Sequence, residues 1–303
     1  MPAAAIIINR TRVRDLPRFR RQCCLAAGAA GWEPAFAETS SSDHGLGLAQ
    51  DALAAGAGLV VAAGGDGTVR ACAHALAGSG VPLAIVPRGT ANLAARALGI
   101  PARLDAALAA GFGGRDRQID LAEAGGMLFA AMAGIGLDAA VVSGTPDLLK
   151  RHLGWLAYAA GGTIRLAGRR RAFTVRLDGG PPLTRRARSV VVGNVGLLPG
   201  GFALLPDARL DDGLLDVGIL APAGPAGWGL VARRVITGSR HDDPNLERFR
   251  GRRIEIEADT ELPREVDGEV ISPGRSLTVT LRPGALLVRV PAPGLEAGEL
   301  EIA

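Results

Sequence analysis

The chain has 303 residues, 48% of them hydrophobic, which is enough for two ordinary domains with buried cores. No apolar run approaches the roughly 20 residues that a membrane-spanning helix needs, and the three cysteines exclude a disulfide framework and show no zinc-like spacing. The formal net charge of +4 allows contact with an anionic partner, but with only 4% aromatic residues a membrane surface is favoured over nucleic acid. The N-terminus lacks signal-peptide features, so we expect a cytoplasmic protein.

The first part of the chain alternates short apolar runs with segments of helical periodicity. Glycine, proline or polar residues separate the two kinds of segment. This alternation predicts a parallel, doubly wound sheet. We predict strands at 3–8, 33–37, 59–63 and 82–86, and helices at 16–30, 46–55, 69–77 and 91–98.

The loop Gly64-Gly65-Asp66-Gly67-Thr68 connects the third predicted strand to a helix. Glycine lets the backbone approach an anion closely, and the N–H groups at the start of a helix point toward it. A carboxylate among phosphates needs a cation between them, so we interpret Asp66 as directed at Mg²⁺ or at a hydroxyl to be activated. The same residues also form a good turn without any ligand, and the loop alone does not decide between the two interpretations.

Polar loops at Asn9, Thr39, Gly64 and Thr90 follow the four predicted strands. The carboxyl ends of parallel strands share one edge of a sheet, and ligands of such sheets bind beyond that edge. We therefore expect the four loops to lie along a single edge.

The pattern changes after about Asp120. Segments of alternating hydrophobicity and hairpin turns follow, with fewer helices between them, and they predict a second, mainly antiparallel domain. The segment 147–171 is the exception, because it is helical in pattern with basic ends. It suits either a membrane surface or a domain core. The predicted strands lie at 127–132, 173–177, 189–194, 215–220, 253–257 and 277–281.

The motif Gly89-Thr90-Ala91-Asn92, taken with the glycine loop at 64–68, resembles the diacylglycerol kinase catalytic-domain family. That family includes bacterial soluble lipid kinases and, more distantly, sphingosine and ceramide kinases. The resemblance continues through 117–142 and 204–220 to Arg264-Glu265-Val266-Asp267-Gly268-Glu269-Val270-Ile271. The glycine loop alone is shared with NAD kinases, whereas the Gly-Thr-x-Asn and Asp-Gly-Glu motifs favour the lipid-kinase branch.

The resemblance implies a two-domain architecture. An α/β N-terminal Rossmann-like domain, of the NAD kinase and phosphofructokinase type, would span 1–122 and hold ATP. A C-terminal β-rich sandwich domain would span 123–303 and provide the lipid site, and its last segment could return to the first domain.

The resemblance also implies roles for individual residues. Glu269 would accept the proton of the substrate hydroxyl, and Asp66 would take part in catalysis. Asp66 and Asp120 would help to hold the catalytic Mg²⁺, and a further Mg²⁺ would bind the Asp212 carboxylate and the backbone carbonyls of Arg209 and Leu214. The nucleotide-contacting residues would be Asn9, Thr39, Gly64, Gly65, Asp66, Gly67, Thr68, Gly89, Thr90 and Asn92.

Plain structural interpretations remain open for three of these positions. Asp267-Gly268 is a strong hairpin turn in its own right, so Glu269 could begin an ordinary strand. Asp212 could belong to a solvated turn, and Asp120 could merely end a strand.

The predicted activity is an ATP- and Mg²⁺-dependent lipid kinase that transfers the γ-phosphate to a diacylglycerol-like or sphingoid hydroxyl at a membrane surface. The alternatives are an NAD kinase-like enzyme and a catalytically weak nucleotide- or lipid-binding protein. Two departures from the family pattern motivate the last alternative: the first loop reads Asn9-Arg10-Thr11-Arg12, without the family's glycine, and Leu93 replaces an acidic residue. A homodimer is an open possibility.

Overall fold

A computed structural model describes residues 1–136 and 169–292 of the chain. The described residues form two compact units, one comprising 1–119 and 284–292, the other comprising the described part of 120–283. Most of the helix expected over 147–171 lies outside the described residues.

Strands and helices alternate through the first unit, as the sequence predicts. Strands β1, β2, β3 and β4 pair in parallel in the order β4-β3-β1-β2, and the end of β14 adds beside β4 through Val288 and Leu83. The parallel doubly wound sheet is thereby confirmed. The elements are β1 (Ala3–Ile8), α1 (Leu16–Ala29), β2 (Glu33–Glu38), α2 (Leu46–Ala54), β3 (Leu59–Gly64), α3 (Asp66–Leu76), β4 (Leu83–Pro87), α4 (Leu93–Ala97) and α5 (Leu104–Gly113).

Helices α1 and α5 cover one face of this sheet. Phe19 of α1 and Phe112 of α5 are buried in one core cluster with Ile6, Ile8 and Val61 of the strands. The glycine at position 111 allows α5 to pack closely on the sheet. A Cβ added at Gly111 would lie only 3.1 Å from the Cβ of Ala84. Every residue of β3 and β4 is buried, which explains why both read as continuous apolar runs.

Two predicted helices start at a different residue from the one expected. Helix α3 begins at Asp66, three residues earlier than expected, because residues of the glycine loop form its first turn. Helix α4 begins only at Leu93, because Asn92 has a left-handed backbone conformation with φ of 47°.

The second unit is built mainly from antiparallel strands. Strands β12, β11, β10, β7, β13 and β14 neighbour one another in that order, and β8 pairs with both β13 and β9. These pairings are antiparallel, as predicted. The elements are β5 (Arg115–Ala124), β6 (Met127–Phe129), β7 (Met132–Ile135), β8 (Arg171–Leu177), β9 (Leu183–Ala187), β10 (Ser189–Gly193), β11 (Leu215–Leu220), α6 (Gly224–Thr237), β12 (Leu246–Gly251), β13 (Arg253–Val266) and β14 (Glu269–Val290).

Helix α6 was not expected from the sequence. Three of its side chains, Trp228, Val231 and Val235, are buried against Leu205 and Leu246 in a core cluster of the second unit. Glycine at three of its first six positions weakens the local helical signal, so tertiary packing stabilises this helix. No described helix is both long and apolar enough to span a membrane.

Candidate active site

The glycine loop and the loop after β4 contact each other backbone to backbone. The N–H of Arg88 donates to the carbonyl of Gly64 at 2.8 Å. A Cβ added at Gly89 would lie 2.6 Å from the Cα of Gly65, a distance that real Cβ atoms do not show. A side chain at Gly89 would therefore separate the two loops.

Asn9 ties the loop after β1 to the same region. Its Nδ2 donates to Oγ1 of Thr68 at 3.2 Å, and its Oδ1 accepts hydrogen bonds from the backbone N–H and the hydroxyl of Thr11. The chain thus retains an ordered first loop although Arg10 and Arg12 replace the family's usual residues. Thr68 itself is buried beside Gly64, where an added Cβ would come within 2.6 Å of the threonine.

Asp66 holds the Gly89–Leu93 segment through both of its carboxylate oxygens. Oδ2 accepts the N–H of Asn92 at 2.9 Å, and Oδ1 accepts the N–H of Leu93 at 2.7 Å. Asn92 in turn closes a ring with Gly89, from whose N–H its Oδ1 accepts and to whose carbonyl its Nδ2 donates. The carboxylate that the sequence directs at Mg²⁺ therefore also stabilises the start of α4.

This arrangement limits the consequence of the departure at Leu93. Asp66 binds the backbone N–H of residue 93, so the hydrogen bond does not depend on the side chain there. Loss of the family's acidic residue removes a charge from this edge but leaves the loop intact.

The remaining predicted loops reach the same edge of the first unit. Thr39 follows β2, and its N–H donates to the carbonyl of Ile8 at the end of β1. Thr90 is exposed in the loop after β4. Gly65 carries no side chain that could cap α3, so the N–H groups of its first turn are suited to an anion.

In the second unit, the Asp-Gly-Glu motif forms a two-residue hairpin turn between β13 and β14. Asp267 and Gly268 both have positive φ, 48° and 77°, as a turn of the primed type requires. The Asp267 carboxylate accepts backbone N–H groups from Ala131 at 3.0 Å and Met132 at 2.9 Å. The turn is therefore anchored, and it presents Glu269 as an exposed side chain at the first position of β14.

Glu265 lies two residues before this turn and is partly buried. It pairs with Gly134 of β7, where an added Cβ would lie 3.6 Å from its Oε1. Burial raises the pKa of Glu265, and the negative charge of Asp267 raises it further. The folded state therefore binds a proton at this carboxyl more tightly than the unfolded chain does.

The Glu265→Gln variant should consequently be more stable than the wild type at neutral pH. A raised carboxyl pKa means that stability falls as the pH rises from the unfolded-state pKa through the folded-state pKa, and glutamine resembles the protonated form. Melting temperatures measured from pH 4 to pH 8 should show a gain for the variant that shrinks toward the acid end. The exposed Glu257 on the same strand supplies the control, because Glu257→Gln should show no such trend. An unchanged difference across the pH range would contradict the assignment.

The loop after Asp207 brings Asp120 and Asp212 to one turn. Asp120, in the middle of β5 and 4% exposed, accepts the N–H of Gly213 through its Oδ2 at 2.8 Å. Oδ1 of Asp212 accepts the N–H of Leu214 at 3.1 Å. Each carboxylate is thus oriented by a backbone N–H of the same turn, so Asp120 does not merely end a strand.

A buried carboxylate lies next to this loop in the sequence. Asp216 accepts a hydrogen bond from Nε of Arg250 at 2.9 Å through Oδ1, whereas its buried Oδ2 has no partner within the described ranges. Burial raises the pKa of Asp216, and the hydrogen bond from Arg250 opposes that effect.

Across residues 1–136 and 169–292, no three His, Cys, Asp or Glu side chains come together as a metal site. An ion at the Asp212 loop would therefore need backbone carbonyls and water as further ligands. Mg²⁺ prefers oxygen ligands of this kind and usually retains several waters, so the residues of the loop fit it.

Two residues with structural importance were missed by the sequence analysis. Asp267 appeared only as part of a turn, although it anchors the hairpin, and Arg88, which directly precedes the Gly89–Asn92 motif, was not singled out. In the sequence, the motif residues next to each of these positions were the signal that could have identified them.

Comparison with known proteins assigns both parts of the chain. Residues 4–124 match the diacylglycerol kinase catalytic domain, and residues 131–290 match the YegS C-terminal NAD kinase beta sandwich-like domain. A relative from Pseudomonas fluorescens, named "Probable lipid kinase YegS-like", is 38% identical over 275 residues, which cover 89% of this chain and 90% of the relative.

Two solved structures share the fold. A diacylglycerol kinase from Bacillus anthracis str. Sterne superposes with a TM-score of 0.74 at 23% identity, covering 97% of this chain and 98% of that one. An NAD kinase from Archaeoglobus fulgidus, in complex with ATP, gives a TM-score of 0.51 at 14% identity, covering 95% and 93%. These likenesses confirm the α/β domain and the β-sandwich domain. The sequence matches establish that the chain belongs to the diacylglycerol kinase catalytic-domain family and carries the YegS-type C-terminal domain.

Proposed function

We propose that the protein is an ATP- and Mg²⁺-dependent kinase that phosphorylates a lipid hydroxyl. The observation that carries the proposal is the anchored Asp267–Gly268 turn, which presents the exposed carboxylate of Glu269. A hairpin needs no carboxylate after its turn, whereas phosphoryl transfer from ATP to an alcohol needs an acceptor for the hydroxyl proton. The name of the Pseudomonas fluorescens relative agrees with this activity.

The first unit supplies the nucleotide-binding part. The backbone of Gly64–Thr68 and the first turn of α3 offer N–H groups to the phosphates. Asp66 and Asn92 hold the Gly89–Leu93 loop in place through the hydrogen bonds described above, and Thr90 is exposed for contact with the nucleotide. Asn9 and Thr39, from the loops after β1 and β2, complete the set.

The second unit supplies the proposed proton acceptor. In the reaction, the lipid oxygen bonds to the γ-phosphorus, the bond from that phosphorus to the β–γ bridging oxygen breaks, and ADP leaves. Glu269 accepts the proton of the hydroxyl. A positioned base typically contributes about 10²–10⁴-fold to the rate of such a step.

The Mg²⁺ dependence rests on two groups of oxygen donors. The Asp212 carboxylate and the carbonyls of Arg209 and Leu214 would hold one ion, with Asp120 beside them. Asp66 and Asp120 are the proposed ligands of the catalytic ion, which when bound would neutralise the charge that develops on the phosphates.

The acceptor is diacylglycerol-like or sphingoid, so the enzyme would act at a membrane surface. Membrane contact is proposed for the segment 148–171. Its residues 148–168 lie outside the described part of the chain.

Phosphate transfer from γ-labelled ATP to a panel of lipids in detergent micelles tests the proposal. The panel contains diacylglycerol, sphingosine, ceramide and phosphatidylglycerol, and each reaction is run with Mg²⁺ and again with a chelator. We expect label in one lipid class and its loss with the chelator. Purified protein that binds ATP but labels none of the lipids would contradict the proposal.

A further inference from the structure

We propose that Arg88 binds the polyphosphate of the nucleotide, an assignment that rests on the proposed kinase function and extends it. Arg88 is the first residue after β4, and its N–H donates to the carbonyl of Gly64 in the glycine loop. The following residue, Gly89, lies against Gly65. Arg88 is therefore fixed at the edge where the nucleotide loops meet.

The side chain of Arg88 carries a charge that the described protein does not balance. Its guanidinium lies 5.9 Å from the centre of the Phe19 ring, and its buried Nε has no hydrogen-bond partner in the residues that the structure describes. No ion pair to Arg88 forms within those residues either. Burial lowers the pKa of Arg88, which is the expected effect when desolvation of a cation is not compensated.

The nearby thiol of Cys23 does not supply the missing negative charge. Burial raises the pKa of Cys23 to about 12, so the thiol is neutral at physiological pH. The charge on Arg88 therefore remains without a balancing anion in the described part of the first unit.

Carboxylates at this edge are engaged elsewhere. Asp66 accepts two backbone N–H groups of the Gly89–Leu93 segment. Glu38 pairs with Arg10 at 3.0 Å and with Arg20 at 2.8 Å. Asp43 accepts the N–H of Gly45 at the start of α2. An anion that compensates Arg88 would thus come from a ligand.

A phosphate group matches these requirements. A partly buried guanidinium without a counter-charge is unfavourable, and arginine stays charged and can donate two parallel hydrogen bonds to phosphate oxygens. The neighbouring glycine loop and the start of α3 favour the same ligand. A nucleoside triphosphate offers several charged oxygens at such an edge, whereas a nucleoside monophosphate offers fewer.

Calorimetric titration of the full chain with MgATP, AMP and pyrophosphate tests the assignment. Arg88→Met keeps a long side chain on Phe19 but removes the charge, and we expect roughly 10- to 100-fold weaker binding of MgATP and of pyrophosphate. AMP affinity should change little, and Arg88→Lys should restore part of the loss. Without nucleotide, the melting temperature of Arg88→Met should not fall, because an uncompensated cation has been removed.

Arg289 provides a matched control. It also lies over an aromatic ring, 5.8 Å from the centre of Trp32, but it pairs with Asp116 at 2.5 Å. Arg289→Met should lower the melting temperature and leave MgATP affinity unchanged.

The outcomes separate the two proposals. The role of Arg88 would be overturned if Arg88→Met bound MgATP as tightly as the wild type does. It would also be overturned if the variant lost MgATP and AMP affinity equally. Either result would leave the kinase proposal standing. A wild-type protein that binds no MgATP would overturn both.

Discussion

Replacing Glu269 with glutamine should reduce phosphate transfer by about 10²–10⁴-fold while leaving the protein folded. Glutamine has nearly the same size but cannot accept the hydroxyl proton. Glu269 is exposed, and the turn that presents it is anchored by Asp267, so the substitution should not disturb the hairpin. The turnover rate with a lipid acceptor at saturating ATP, measured together with ATP affinity, checks this expectation.

The control for this variant is Glu261→Gln, another exposed glutamate, on strand β13. It should retain wild-type turnover, and both variants should retain wild-type ATP affinity and melting temperature. More than a tenth of wild-type turnover in Glu269→Gln would show that Glu269 is not the proton acceptor.

Replacing Asp66 with alanine should impair both stability and nucleotide binding. The variant leaves the N–H groups of Asn92 and Leu93 without the carboxylate that accepts them, and it releases the loop that carries Thr90. Loss of two such charge-assisted hydrogen bonds should cost about 2–4 kcal/mol of unfolding free energy. ATP affinity should fall at least roughly tenfold, since 1.4 kcal/mol corresponds to a factor of ten.

Thermal unfolding and ATP titration check the second prediction. Asp51→Ala, on the exposed side of α2, is the matched control and should change neither quantity. An Asp66→Ala variant with wild-type stability would contradict the role of the carboxylate in holding the loop. Lower stability with unchanged ATP affinity would separate the loop from nucleotide binding.

The parallel sheet of the first unit was predictable because its strands are short buried runs bounded by glycine, proline or polar residues. In β3, for example, all six residues are buried, and the run ends at Gly64. Since parallel strands end at a common edge, the positions of Asn9, Thr39 and Thr90 followed from strand order alone.

The role of Asp66 in holding the loop was harder to predict, because its hydrogen-bond partners lie 26 and 27 residues away in the sequence. Sequence pattern identifies a carboxylate in a glycine loop but does not show which backbone N–H groups will face it. The uncompensated charge of Arg88 is even harder to predict from sequence, because it depends on which groups each neighbouring carboxylate binds.

The long strands of the second unit were predicted only in part. Strand β14 contains Pro273 and Pro283, and β13 contains Pro263, residues that normally indicate the end of a strand. Register shifts on both sides of Leu262 accommodate the irregular backbone, so β13 continues where local sequence predicts a break.

The central claim is that the phosphate acceptor is a lipid. A single reaction tests it most directly: γ-labelled ATP and Mg²⁺ are supplied with diacylglycerol and sphingosine micelles and with NAD, and the organic and aqueous phases are then separated. We predict label in the lipid of the organic phase with wild-type protein and its loss with Glu269→Gln. Label confined to NAD in the aqueous phase would contradict the claim and assign the activity to the NAD kinases that share this fold.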